Sequence, residues 1–304
     1  MAARFSLILL LGLLLLGCRP ATPPPTAAPT IEATATSAVV PTPAEAAASI
    51  QDAEYQLGIP DSLRVVQLTD GAFEQGTPGG EDYISVQVTG LAASGDLDGD
   101  GSQETAVLVS ENYGGTGVFV FLAVYSNTAR TPAFLTSAIV DDRPQLNALS
   151  IENGEVFLDA TIHGPDEPMC CPTRRTLRHY RLINNQLDMT DFTTFTPDGR
   201  PRTLLIEEPA NGAEVFSTVL VRGSVEVAPF ENNLTYSLKD VGGVELARGA
   251  ILVDASEPGA FGTFEAEISL GNILSSAVVI LEVQDLSAED DSLLAMDSVE
   301  LVVK

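Results

Sequence analysis

Tryptophan is absent from this chain of 304 residues, histidine occurs twice, cysteine three times, and 15 basic residues face 42 acidic ones. Each shortage excludes something. With aromatic residues at 6% and no indole, the chain is a poor candidate for stacking on sugar rings. Two histidines, with no Gly-x-Ser-x-Gly turn and no His-Glu-x-x-His helix, leave nucleophilic and zinc-dependent hydrolysis without their parts. A formal charge of −27 repels nucleic-acid phosphates and anionic headgroups, so nucleic acid is not an expected partner. No segment sustains a 3.6-residue period. The one weak helical stretch is 44–57. What the chain does have is 45% apolar residues rich in β-branched side chains, so its acidity does not imply disorder.

The N-terminus carries a different signal. Arg4 precedes an almost unbroken apolar run over 5–16, about a dozen residues, which is too short for a permanent membrane span and suits a secretory leader. The run closes in Leu15-Leu16-Gly17-Cys18, which resembles the lipobox of bacterial lipoproteins. The resemblance implies a signal peptide over 1–17, cleavage after Gly17, a lipid on Cys18, and an extracytoplasmic protein held at the cell membrane through that lipid. The competing reading is an uncleaved anchor with an incidental cysteine. Residues 18–48 follow as a disordered tether of Pro, Thr and Ala with polyproline character, spanning roughly 30 Å as a coil and roughly 90 Å extended. About 255 residues remain, enough for two ordinary domains.

Both read as β. Over 49–196, Val156, Leu158, Ala160 and Ile162 alternate with Phe157, Asp159 and Thr161, the period of a half-buried strand. Asn153-Gly154, between runs at 145–151 and 155–162, is a strong hairpin signal, and Asn184-Asn185 plays the same part between 176–183 and 186–192. The runs at 105–110 and 117–124 are continuously apolar, as expected of strands covered on both faces. An antiparallel β domain of about eight strands is predicted. Thr196-Pro197-Asp198-Gly199-Arg200-Pro201 then breaks the pattern, and about seven further strands follow with alternation such as Phe264, Ala266, Ile268 and Leu270.

In that last part, the order of Ile206-Glu207-Glu208-Pro209-Ala210-Asn211-Gly212-Ala213, Val221-Arg222-Gly223, Pro229-Phe230-Glu231-Asn232 and Phe261-Gly262-Thr263-Phe264 carries a likeness. It resembles the immunoglobulin-like domain of bacterial spore-germination and related surface lipoproteins. The resemblance covers 203–304 and implies a seven-stranded sandwich without catalytic residues, used for adhesion or assembly. The acidic segment 287–294 departs from it, being longer than the turn expected there.

One segment carries ligand chemistry. In Asp96-Leu97-Asp98-Gly99-Asp100-Gly101-Ser102-Gln103-Glu104, acids at positions 1, 3, 5 and 9 of a glycine-containing loop converge as a hard, many-coordinate cation requires, and Ser102 can add its carbonyl. Position 12 is Val107 rather than Glu, so this is not an EF-hand. The nine residues resemble the calcium loops of integrin-type repeats. The resemblance implies Asp96, Asp98, Asp100 and Glu104 as side-chain ligands of a structural Ca²⁺ of roughly 10⁻⁴ to 10⁻³ M affinity. It occurs once, which does not suffice for a propeller.

Cys170-Cys171, in the loop His163-Gly164-Pro165-Asp166-Glu167-Pro168-Met169-Cys170-Cys171-Pro172, leaves three readings open. These are a vicinal disulfide, independent thiols or an intermolecular bridge, and a soft-metal site with His163. His179 reads as a surface residue, and Glu111–Gly117 as a glycine-rich turn. The expectation is a non-enzymatic, calcium-stabilised, lipid-anchored protein that binds a protein or envelope partner. The alternative is a secreted enzyme or enzyme inhibitor with a site near Cys170-Cys171.

Overall fold

The computed structural model describes residues 41–58, 64–128, 131–271, 273–274 and 276–304. The expected leader, Cys18 and the tether up to residue 40 lie outside them. Among the described residues the fold is all-β, 58% strand and 4% helix. Helix α1 (Pro43–Ser49) and a hairpin of β1 (Glu54–Gln56) with β2 (Val65–Gln67) come first. Strands β3 (Ala72–Gln75), β4 (Ile84–Gly95), β5 (Glu104–Asn112), β6 (Phe119–Ser126) and β7 (Ala133–Asp142) form a five-stranded sheet in chain order. Next come β8 (Gln145–Glu152), β9 (Glu155–Ile162), β10 (Arg174–Ile183) and β11 (Gln186–Thr193). The C-terminal part contains β12 (Leu204–Glu208), β13 (Ala213–Val215), β14 (Thr218–Val225), β15 (Asn233–Asp240), β16 (Glu245–Ala255), β17 (Gly262–Ser269), β18 (Val278–Leu286) and β19 (Leu293–Val303).

Four expectations change. Thr42 and Glu45 make a reciprocal capping box, with Pro43 in the first turn, so the last residues read as tether are helical. Ala46, Ala47 and Ile50 of that segment are buried, which fixes it on the sheet. The helix is shorter than 44–57, however, because Glu54–Gln56 pairs with Val65–Gln67 instead. The first part has eleven strands rather than about eight. The extra ones are the three- and four-residue β1, β2 and β3, too short to display alternation. Similarly, the eighth strand of the C-terminal sandwich is the three-residue β13, which pairs with β19 in parallel while every other ladder among the described residues is antiparallel.

Both predicted hairpins form. Asn153 and Gly154 turn at φ +54° and +79°, and Asn184 and Asn185 at +51° and +59°, the left-handed pair that matches the strand twist. Strands β5 and β6 are buried on both faces. On one side, Val107, Val109, Ala123 and Tyr125 pack against α1 and the first hairpin. On the other, Ala106, Leu108, Leu122 and Val124 pack against Val156, Leu158, Ala160 and Tyr180 of β9 and β10. A third core, including Leu234, Leu238, Ile251, Phe264 and Leu281, fills the C-terminal sandwich.

The largest sheet runs through both parts. Its order is β12-β14-β17-β16-β15-β18-β19-β11-β10-β9-β8, so β19 of the sandwich is hydrogen-bonded to β11. Thr196–Arg200 forms a closed turn, with Thr196 N–H to Arg200 O at 2.9 Å and a bridge between Phe195 and Pro201.

Candidate functional site

The acidic loop connects β4 to β5 and is built from its own side chains. Asp96 Oδ1 accepts the Gly99 N–H at 2.7 Å and Oδ2 accepts the Gly101 N–H at 3.0 Å. Asp98 accepts the Asp100 N–H at 3.1 Å, and Asp100 accepts the Ser102 N–H at 2.6 Å. Gly99 and Gly101 sit at φ +78° and +86°, where a Cβ would be strained, which is why glycine alternates with aspartate. Glu104, the first residue of β5, turns inward. It is 2% exposed and accepts the Leu97 N–H at 2.9 Å.

Asp96, Asp98 and Glu104 each bring one carboxylate oxygen within 4.8 Å of the others. Oxygens around a Ca²⁺ ion lie 2.3–2.6 Å from it, so two on opposite sides stand about 5 Å apart. The trio has the span of one such coordination shell. Asp100 stands outside it, and Ser102 contributes a backbone N–H to Asp100. Glu104 titrates above its ordinary value. Burial is the main cause, the Leu97 N–H opposes it, and the charges of Asp98, Asp100 and Asp96 add to it. A cation placed among these oxygens would reverse that balance.

The second loop, between β9 and β10, is organised by Glu167, which accepts the Gly164 N–H at 3.0 Å, the Thr173 N–H at 2.9 Å and the Thr173 hydroxyl. Cys170 and Cys171 are exposed, and their sulfurs are bonded to each other with the Cα atoms 3.8 Å apart. His163 is turned elsewhere. Its Nδ1 is 3.0 Å from Asp141 Oδ2, which also accepts its backbone N–H at 2.7 Å. Among the described residues the cysteines belong to no cluster of three metal-ligating groups. The glycine-rich segment is a turn tied by Asn112, whose amide donates to Gly115 O at 3.0 Å and Gly117 O at 2.5 Å.

His179 differs from expectation. It is half-buried, edge-on to the Phe157 ring at 5.2 Å, with Nδ1 3.4 Å from Glu155 Oε2. It belongs to a recess of ≈ 240 Å³ at the β11–β19 junction, lined also by Arg181, Asp191, Leu205 and Asp297. The alternation of β10 and β11 places His179, Arg181 and Asp191 on one face, but nothing in either strand shows that β19 is the neighbour.

The C-terminal part is a β-sandwich, as the sequence likeness implies, with β13 as one strand more than the seven expected. Residues 203–292 match the immunoglobulin-like domain of bacterial spore germination. The match spans β12 to β18 of this germination-type immunoglobulin-like segment and ends in the acidic loop before β19. No curated protein matches the chain.

Proposed function

We propose that this is a lipid-anchored, extracytoplasmic surface protein, non-enzymatic, which presents a calcium-stiffened β scaffold and an immunoglobulin-like segment to a protein or envelope partner. The observation that carries the reading is the germination-type immunoglobulin-like match over 203–292, a fold whose strands offer two sheet faces and their connecting loops for contact. The convergence of Asp96, Asp98 and Glu104 supports a structural Ca²⁺ in the preceding part. The leader-like N-terminus with Cys18 supports the anchor.

Cell fractionation tests the reading. The wild-type chain is expected in the membrane fraction, digestible by protease added outside intact protoplasts, and Cys18→Ser is expected to move it to the soluble or uncleaved pool. A protease-protected, cytosolic wild-type chain would overturn the reading.

A further inference from the structure

Strands β9, β10, β11 and β19 lie side by side, and each places one titratable side chain in a single row. Glu155 on β9 approaches His179 on β10 at 3.4 Å. His179 stands directly opposite Asp191 in the β10–β11 register, and Asp191 stands directly opposite Asp297 in the β11–β19 register. Arg181, on the same side of β10, donates to Glu155 Oε1 at 2.7 Å and to Asn211 Oδ1 at 2.8 Å, and lies 3.8 Å from Glu300 of β19. From β12 come only the apolar Leu204 and Leu205 and the Ile206 N–H, which donates to Asp297 Oδ2 at 2.7 Å. The other oxygen of Asp297 accepts the Ser298 N–H at 2.8 Å.

This row crosses the place where the two parts of the chain share a sheet. The β11–β19 ladder has three facing pairs: Asp191 with Asp297, Phe192 with Met296, and Thr193 with Ala295. One pair in this short ladder therefore sets carboxyl against carboxyl. Like charges directly opposite on neighbouring strands repel, and partial burial removes the water that would screen them.

We propose that the row is a proton-operated latch. With protons held among Asp191, Asp297 and His179 the seam between β11 and β19 is closed, and their release to solvent as pH rises loosens that seam before the cores on either side unfold. The inference rests on neither the cation nor the lipid anchor.

The titration directions agree with it. Burial pushes Asp191 up to about 7, with His179 opposing and Asp297 and Glu155 adding. Burial likewise pushes Asp297 up to about 6, opposed by the Ile206 and Ser298 N–H groups. His179 is raised, chiefly by its hydrogen bond to Glu155. The folded state thus holds protons that the unfolded chain has already released above the ordinary carboxylate range. The stability that the two carboxyls confer on the seam is full below about pH 4, their ordinary range, and declines as pH climbs from there to about 6 for Asp297 and about 7 for Asp191. His179 acts in the same direction, because its bound proton is also lost on that climb.

The test is amide hydrogen exchange of the full chain in detergent, with free calcium held constant, at about pH 5.5 and about pH 8.5 and corrected for intrinsic exchange rates. Protection of peptides from β11 and β19 is expected to fall about tenfold or more between the two, the change that one unit of linkage produces, while β5 and β17 hold theirs. Asp191→Asn is expected to remove most of that difference. Asp297→Asn serves the same purpose should the first variant not fold. Equal protection of the seam at both pH values would overturn the latch. So would loss of protection in all strands together, or a wild-type pH response in the folded variant.

Discussion

At the scale of single residues, the chain places several carboxyl groups where water cannot reach them, and each is held differently. Glu111 is fully buried, with Tyr55, Tyr113 and the Gly58 N–H donating to it. Tyr55 and Gly58 lie more than fifty residues before it, so nothing around Glu111 in the sequence distinguishes it from a surface acid. Tyr55→Phe is expected to cost about 1–3 kcal/mol in urea unfolding, the loss of a donor to a buried carboxyl group, and an unchanged midpoint would contradict that role. Asp285 is the opposite case. It is 3% exposed, its Oδ2 accepts no hydrogen bond, and Arg202 is 3.6 Å away. Burial pushes its carboxyl up to about 6, and Arg202 offsets only part of this. The folded state keeps a proton that the unfolded state loses near pH 4, so this group's contribution worsens as pH rises from about 4 to about 6. Asp285→Asn is therefore expected to stabilise the protein at pH 8 by about 1–3 kcal/mol and to leave it nearly unchanged at pH 4. Denaturation midpoints at the two pH values check this, and an equal effect at both would count against it.

At the scale of elements, local signals proved readable where a side chain acts on its own neighbourhood. Asn153-Gly154 and Asn184-Asn185 specify their turns through backbone angles those residues tolerate. The acidic loop is likewise legible, because Asp96 and Asp98 accept N–H groups from the next few residues. The inward turn of Glu104 is not, since it depends on Leu97 being packed in the core beside β5. Short β1 and β2 escaped the pattern, because three residues cannot show a period of two. Gly223, noted in the sequence only as part of a family likeness, turns out to be a packing site. A Cβ there would lie 2.0 Å from Leu205 O on β12 and 2.4 Å from the Phe264 ring. Gly223→Ala must therefore push β12 from β14, and a loss of about 1–3 kcal/mol or more is expected in thermal melts. Retention of the wild-type melting temperature would show that the two strands separate freely.

At the scale of the whole molecule, the sequence reads as two β parts divided at the Thr196–Pro201 turn, and the structure joins their strands in one sheet. Alternation along β11 and β19 reveals which face of each is covered, but strand order is a long-range property that neither carries locally. The seam, with its row of Glu155, His179, Asp191 and Asp297, was therefore invisible until the strands were placed. The acidic loop, by contrast, is proposed to act on the molecule through a single ion, and that proposed cation is the centre of the account. Thermal melting of the full chain in detergent, in EDTA and in about 10 mM calcium, tests it most directly. A site of about 10⁻⁴ M affinity would add about 2.7 kcal/mol at that concentration, or roughly 5–10 °C. The shift is expected to vanish in Asp98→Ala and to persist largely in Asp100→Ala, whose carboxylate stands outside the converging trio. Superimposable melts with and without calcium, or a full shift in Asp98→Ala, would contradict it.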